Sequence, residues 1–387
     1  MESNQVKDCF EEEHFGAITL DTSIFDAQGL RLESGLLKQL EQFRHRPTKL
    51  ILCEVVKNEI FSHLIRDIKN AQTEIEKSLK QAKNHWQIED EIINSLKNSI
   101  FRGREPQAIA SERLNKFIEA TSLELIEAQA HVKLGELIKK YFDAQPPFSE
   151  IGKKKNEFPD AISLMSLESW AEKNSTKVVV VTLDNDWKSF CKDSKWLVVV
   201  DDLAKALELF QNQPNAYAIC KQLSEKHSKG ELKDITEAIA SALENEIWNL
   251  NIYPEASSAY RYEEEVTEIS YEGFEFEILE EPKIIFRPIQ FDFESLVVEA
   301  KLNVDVSVEC NFYFFVYDSI DKDDVPIGST YVNRQVALEV DVLVTLTGDL
   351  TKVNEDIEID DVEVITTREI IDFGEVEPDW MHEDYEH

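Results

Sequence analysis

The sequence predicts an α/β domain built on a parallel sheet, then a helical linker, then a mostly antiparallel β (α+β) domain. Three observations predict it. Short β-branched runs alternate with helical stretches through residues 14–212, as in strands joined by right-handed crossovers. From Ser258 the apolar period changes to two, the pattern of a sheet covered on one face. The charge is also unevenly divided: residues 1–215 hold 29 Lys+Arg against 35 Asp+Glu, and residues 216–387 hold 12 against 42.

The elements follow in order. Residues 16–20 read as a first strand and 49–53 as a second, with Leu36, Leu37, Leu40 and Phe43 on one helical face between them. From Glu54 to about Ile100 the spacing of Ile60, Leu64, Ile68, Ile75 and Leu79 is helical. After a polar break at Arg102-Gly-Arg-Glu-Pro106 come helices near 108–126 and 128–142, and residues 145–155 have loop chemistry. Helix 160–173, strand 176–183, helix 185–192, strand 195–200 and helix 201–212 complete the first domain. A helical insertion of about 65–150 is expected within it. Gln211-Asn-Gln-Pro-Asn215 marks a boundary, two helices form a linker over 216–250, and an acidic β-rich domain spans 251–380. There, Val304, Val306, Val308, Cys310, Phe312 and Phe314 alternate with mostly polar residues, as do Val336 through Leu346. The Asp-rich turn at 318–324 lacks the Gly and terminal Glu of an EF-hand loop and reads as a hairpin connection.

A net charge of −36, with −30 of it beyond residue 215, would repel a phosphate backbone from the C-terminal part. Nucleic acid is therefore expected at the N-terminal domain, and a protein partner or regulator at the acidic C-terminal domain. Five scattered cysteines without CxxC spacing suggest neither zinc nor a disulfide framework. With no run of about 18 apolar residues and no leader-like start, a cytoplasmic protein without membrane contact is expected.

Val178-Val-Val-Val-Thr-Leu-Asp-Asn-Asp-Trp187 reads as a buried strand ending in a Thr and two acids, Asp184 and Asp186. Carboxylates at the C-terminal mouth of a parallel strand sit where α/β sheets place their chemistry. Asp21, Glu59 and Asp160 occupy comparable strand or helix edges. Acids without His or Cys partners suit a hard divalent cation, Mg²⁺ or Mn²⁺, and two such ions can activate water and stabilise the leaving oxygen of a phosphodiester.

Asp21 after the first strand, Val56-x-x-Glu59-Ile60, Asp160-Ala161 and Thr182-Leu-Asp184-Asn-Asp186-Trp187 occur in the order found in PIN domains. Residues 14–212 resemble that family of metal-dependent ribonucleases. The resemblance implies that Asp21, Glu59, Asp160, Asp184 and Asp186 are catalytic metal ligands. Leu183 stands where the family often has Asn or Asp, and the insertion between Glu59 and Asp160 leaves substrate choice open.

Each residue also has a plainer reading. Asp21 and Asp160 precede helical stretches and could be N-caps, and Asp186 suits a cap or turn as well as a ligand. Glu54 competes with Glu59; five residues apart, they point about 140° apart on a helix. Arg102, Arg104 and Lys153-Lys154-Lys155 are candidate phosphate contacts, or solvated charge. Trp170 and Trp187 suit core packing more than base stacking, and the His residues are assigned no role. The expected activity is endoribonuclease, in a toxin or antiphage effector. A non-catalytic PIN-like scaffold acting through its C-terminal domain and a PIN-like DNase are the alternatives.

Overall fold

The computed structural model describes residues 15–148, 157–279, 284–320, 322–350, 357–365 and 368–381. The chain divides into two compact units, Met1–Phe210 and Gln211–His387.

The first unit is built on five parallel strands: β1 (Phe15–Leu20), β2 (Lys49–Cys53), β3 (Glu124–Ile126), β4 (Lys177–Val181) and β5 (Leu197–Val200), in the order β3-β2-β1-β4-β5. Val178 to Val181 are fully buried, as are Ala17, Ile18 and Leu20, as central strands covered on both faces require. Helices α1 (Thr22–Ala27), α2 (Gly35–Lys38), α3 (Glu54–Trp86), α4 (Asp90–Phe101), α5 (Pro106–Thr121), α6 (Leu134–Phe142), α7 (Phe158–Asn174), α8 (Asn185–Asp193) and α9 (Leu203–Glu208) connect the strands.

The insertion departs from expectation in two ways. Residues 124–126 form β3, paired with β2, instead of continuing a helix. In addition, α5 supplies Ala110, Leu114 and Phe117 to the core, where Phe117 meets Phe25 edge-on at 6.0 Å. Much of residues 106–126 therefore belongs to the domain body. The helical pattern expected over 54–100 is broken at Gln87, which takes a left-handed conformation (φ 51°) that ends α3 before α4 begins. Past Leu64, α3 contributes no buried residue, and α4 contributes only Ile93.

In the second unit, β9 (Ser295–Asp318) and β10 (Asp323–Thr347) form one long antiparallel hairpin. β11 (Glu358–Ile365) pairs on the far side of β10, while β7 (Arg261–Phe276) and β8 (Arg287–Phe291) pair end to end along β9. β6 (Asn251–Ser257) and β12 (Arg368–Glu375) form a separate parallel pair. The two helices expected as a linker, α10 (Pro214–Ser228) and α11 (Lys233–Glu246), are instead part of this unit. Ile219, Leu223, Ile235, Ile239 and Leu243 share one core with Val304, Val306, Val308, Phe312 and Val342, because a one-sided sheet needs a covering layer. No helix among the described residues is long and apolar enough to cross a membrane.

Candidate active site

Parallel pairing of β1 with β4 places Leu20 beside Val181, and the Asp21 amide extends the ladder to the Val181 carbonyl (2.9 Å). Both strands therefore end level, with Asp21 next to Thr182. Thr182 Oγ1 donates to Asp21 Oδ2 (3.0 Å) and accepts from the Asp184 amide (2.9 Å). Ser23 Oγ makes a parallel bridge, donating to Asp21 Oδ2 (2.5 Å) and accepting from the Leu183 amide (3.2 Å). Two hydroxyls thus tie the turn after β1 to the turn after β4.

The other acids arrive on helices. Glu59 lies in the second turn of α3, where Thr22 Oγ1 donates to its Oε2 (2.7 Å). Asp160 lies in the first turn of α7, where the buried Trp187 indole N–H donates to its Oδ1 (2.8 Å). Asp184 Oδ1 accepts from the amides of Asp186 (2.6 Å) and Trp187 (3.1 Å) and caps α8. The capping reading therefore falls on Asp184. Asp21 occupies an N-cap position without making a side-chain cap bond, and Asp160 lies inside its helix, where Glu157 is the N-cap.

Electrostatics link some of these acids. Burial is the main force pushing the Asp160 carboxyl up to about 7, and the charges of Asp21, Asp184 and Glu59 add to it against the Trp187 hydrogen bond. Burial also raises Asp21; hydrogen bonds from Ser23, Thr182 and the Thr22 backbone oppose it, and the Asp184 charge reinforces it. The charges of three carboxylates from other segments thus reach Asp160. Asp186 belongs to the margin: burial raises it, then Asp184 and Glu157.

The structure separates Glu54 from Glu59. Glu54 Oε1 accepts from the Ala128 amide (2.8 Å) and so serves the segment after β3. Trp187 is 1% exposed, and Trp170, also buried, donates its indole N–H to Glu124, so both are core residues. Arg104 pairs with Glu112, and Arg102 is the exposed left-handed C-cap of α4. Lys153, Lys154 and Lys155 lie outside the described residues. Cys53, Cys191, Cys220 and Cys310 are buried and form no disulfide among the described residues; burial pushes the Cys191 thiol up to about 12, unsuited to metal binding or nucleophilic chemistry. A cavity of about 380 Å³ lined by His131, Lys140, Glu168 and Trp196 involves none of the four acids.

An all-oxygen set of partly buried carboxylates fits the chemistry of a hard divalent cation. Among the described residues no three His, Cys, Asp or Glu side chains form a ready metal cage. Sequence reasoning missed Thr22 and Ser23, although Asp21-Thr-Ser23 places two hydroxyls directly after the first acid.

No match was found among curated proteins, and none among solved structures. Residues 18–187, which run from β1 through Trp187 and include all four acids, match the family model described as PIN domain, and the first unit of this chain is a PIN-like domain.

Proposed function

We propose that the first unit is a divalent-metal-dependent endoribonuclease. The observation that carries this reading is the meeting of Asp21 with the Asp184 turn at the level ends of β1 and β4, through Thr182 and Ser23, with the charges of Asp21, Asp184 and Glu59 all reaching Asp160. Asp21, Glu59, Asp160 and Asp184 would hold Mg²⁺ or Mn²⁺, with Asp186 at the margin acting directly or through water. Such an ion supplies Lewis-acid polarisation of a phosphoryl oxygen and an acidified water.

The chain's own residues prepare the site. Ser23 and Thr182 orient Asp21, Thr22 orients Glu59, and the Trp187 indole holds Asp160. At Asp21 and Asp160 these donors favour the charged carboxylate while burial and neighbouring acids oppose it, so a cation would be welcome there. In a cell, such an activity would arrest growth, as a toxin or antiphage effector does.

The test is incubation of purified protein with labelled RNA and single-stranded DNA, with and without Mn²⁺. We expect metal-dependent cleavage of RNA and its loss in Asp21→Asn with folding retained. Cleavage of DNA alone would replace the reading by a DNase, and wild-type activity in Asp21→Asn would remove the acid cluster from the mechanism.

A further inference from the structure

We propose that α3, beyond the end of α1, is a track for a single phosphodiester strand leading to the acid cluster. The inference rests on the nucleic-acid reading of that cluster. Its starting point is a face of the helix. At about 100° per residue, the positions within 45° of Glu59 along α3 are His63, Arg66, Asn70, Thr73, Lys77, Gln81 and Asn84. Every one is cationic, amide, hydroxyl or imidazole, and none is acidic, in a chain with 77 Asp+Glu against 41 Lys+Arg. Lys80 and Glu74 flank the stripe at about 60° on its two sides, and Asp67 and Glu76 lie farther round.

The stripe begins at the site and then emerges. Thr22 meets Glu59, and one turn along both helices Asp26 meets His63 Nδ1 (2.8 Å). α1 ends at Ala27, and from Arg66 onward every residue of the stripe is exposed. The opposite side of the helix, with Ile68, Ile75, Leu79 and Ala82 partly buried, carries the apolar residues. Arg66 donates through Nε to its neighbour Asp67 (2.8 Å), an exposed pair of small worth. Lys77 and Lys80 have no ion-pair partner among the described residues.

From Glu59 to Asn84 the helix rises about 37 Å, room for about ten nucleotides of stacked strand at roughly 3.4 Å each. Spaced cations between amide and hydroxyl groups suit a sugar-phosphate backbone read without regard to sequence.

The test is fluorescence anisotropy in EDTA with a 16-nucleotide single-stranded RNA and the DNA of the same sequence. The variants are Arg66→Ala/Lys77→Ala/Lys80→Ala and Arg66→Lys/Lys77→Arg/Lys80→Arg. We expect the alanine variant to bind at least tenfold more weakly, with a salt slope shallower by about 2, since each lost cation removes about 0.7. The charge-retaining variant should match wild type. The affinity gained between a 6-mer and a 16-mer should vanish in the alanine variant only. A loss confined to RNA or to DNA supports the track and names the sugar it accepts. Wild-type affinity and slope in the alanine variant, with circular dichroism unchanged, overturn it. Binding in EDTA needs no cleavage. A protein that uses these cations yet cleaves nothing with Mn²⁺ retires the nuclease reading and leaves the track. A protein that cleaves while its alanine variant binds normally does the reverse.

Discussion

Asp184 has two tasks that substitution can separate. Its Oδ1 caps α8 through two amides, and its charge reaches Asp160 and Asp21. Asn caps a helix about as well as Asp, whereas Ala costs about 1 kcal/mol. We therefore expect Asp184→Ala to lower the melting temperature by roughly 2–4 °C for a domain of this size and Asp184→Asn to leave it near wild type. Both should lose cleavage by 100-fold or more; calorimetry beside a gel assay checks the split. Asp160 gives a pH signature. Its folded carboxyl holds a proton up to about 7, against a model-compound value of 3.8, so between these values the folded state binds more protons than the unfolded one. The stabilisation that follows is complete below about pH 4 and is lost as pH rises through 7. Metal-free Asp160→Asn should accordingly gain stability on wild type between pH 4 and 8, measured as the difference in urea midpoint. Manganese affinity of the wild type should rise over the same window. The strand and helix edges that carry Asp21, Glu59, Asp160 and Asp184 were legible in the sequence. Asp184 as the cap was not legible, since Asp184 and Asp186 both lie at the start of the helix and only the fold decides which carboxylate meets the amides.

Helix α3 is anchored at one end. Val56, Ile60 and Leu64 bury its first three turns, and the remaining 22 residues bury none. Together with α4, which buries only Ile93, it depends on local hydrogen bonds and a thin apolar seam. Such segments open at low free energy. Amide hydrogen exchange should be at least 100-fold faster over 66–100 than in β1 and β4, and equal protection would show that the arm is part of the core. The pattern of apolar residues announced these helices but not their division. Gln87 takes a left-handed conformation usually given to Gly, so nothing in its side chain marks the break, whereas the end at Arg102 falls in the expected polar break. β3 escaped notice for another reason. A three-residue strand with one buried side chain, Ile126, has too few positions to display a period of two.

At the scale of the molecule, two units carry opposite relations to a polyanion. The first is nearly balanced, and the second holds 42 acids against 12 bases. The boundary near Gln211 was legible from its Gln/Asn/Pro composition, and the β pattern beyond Ser258 from its strict alternation. Assigning α10 and α11 to the second unit was not, because an amphipathic helix does not name the surface it will cover. The placement of the acids within that unit has its own consequence. The outermost strands of the sheet are β7, with Glu263, Glu264, Glu265, Glu268, Glu272 and Glu275, and β11, with Glu358, Asp360, Asp361 and Glu363. An open sheet offers unpaired backbone at both margins, and like charge there keeps one molecule from extending the sheet of the next. That defence is titratable. Near the isoelectric point of about 4.6 the repulsion lapses, and light scattering should report ordered self-association that glutamine substitutions along β7 bring on at neutral pH.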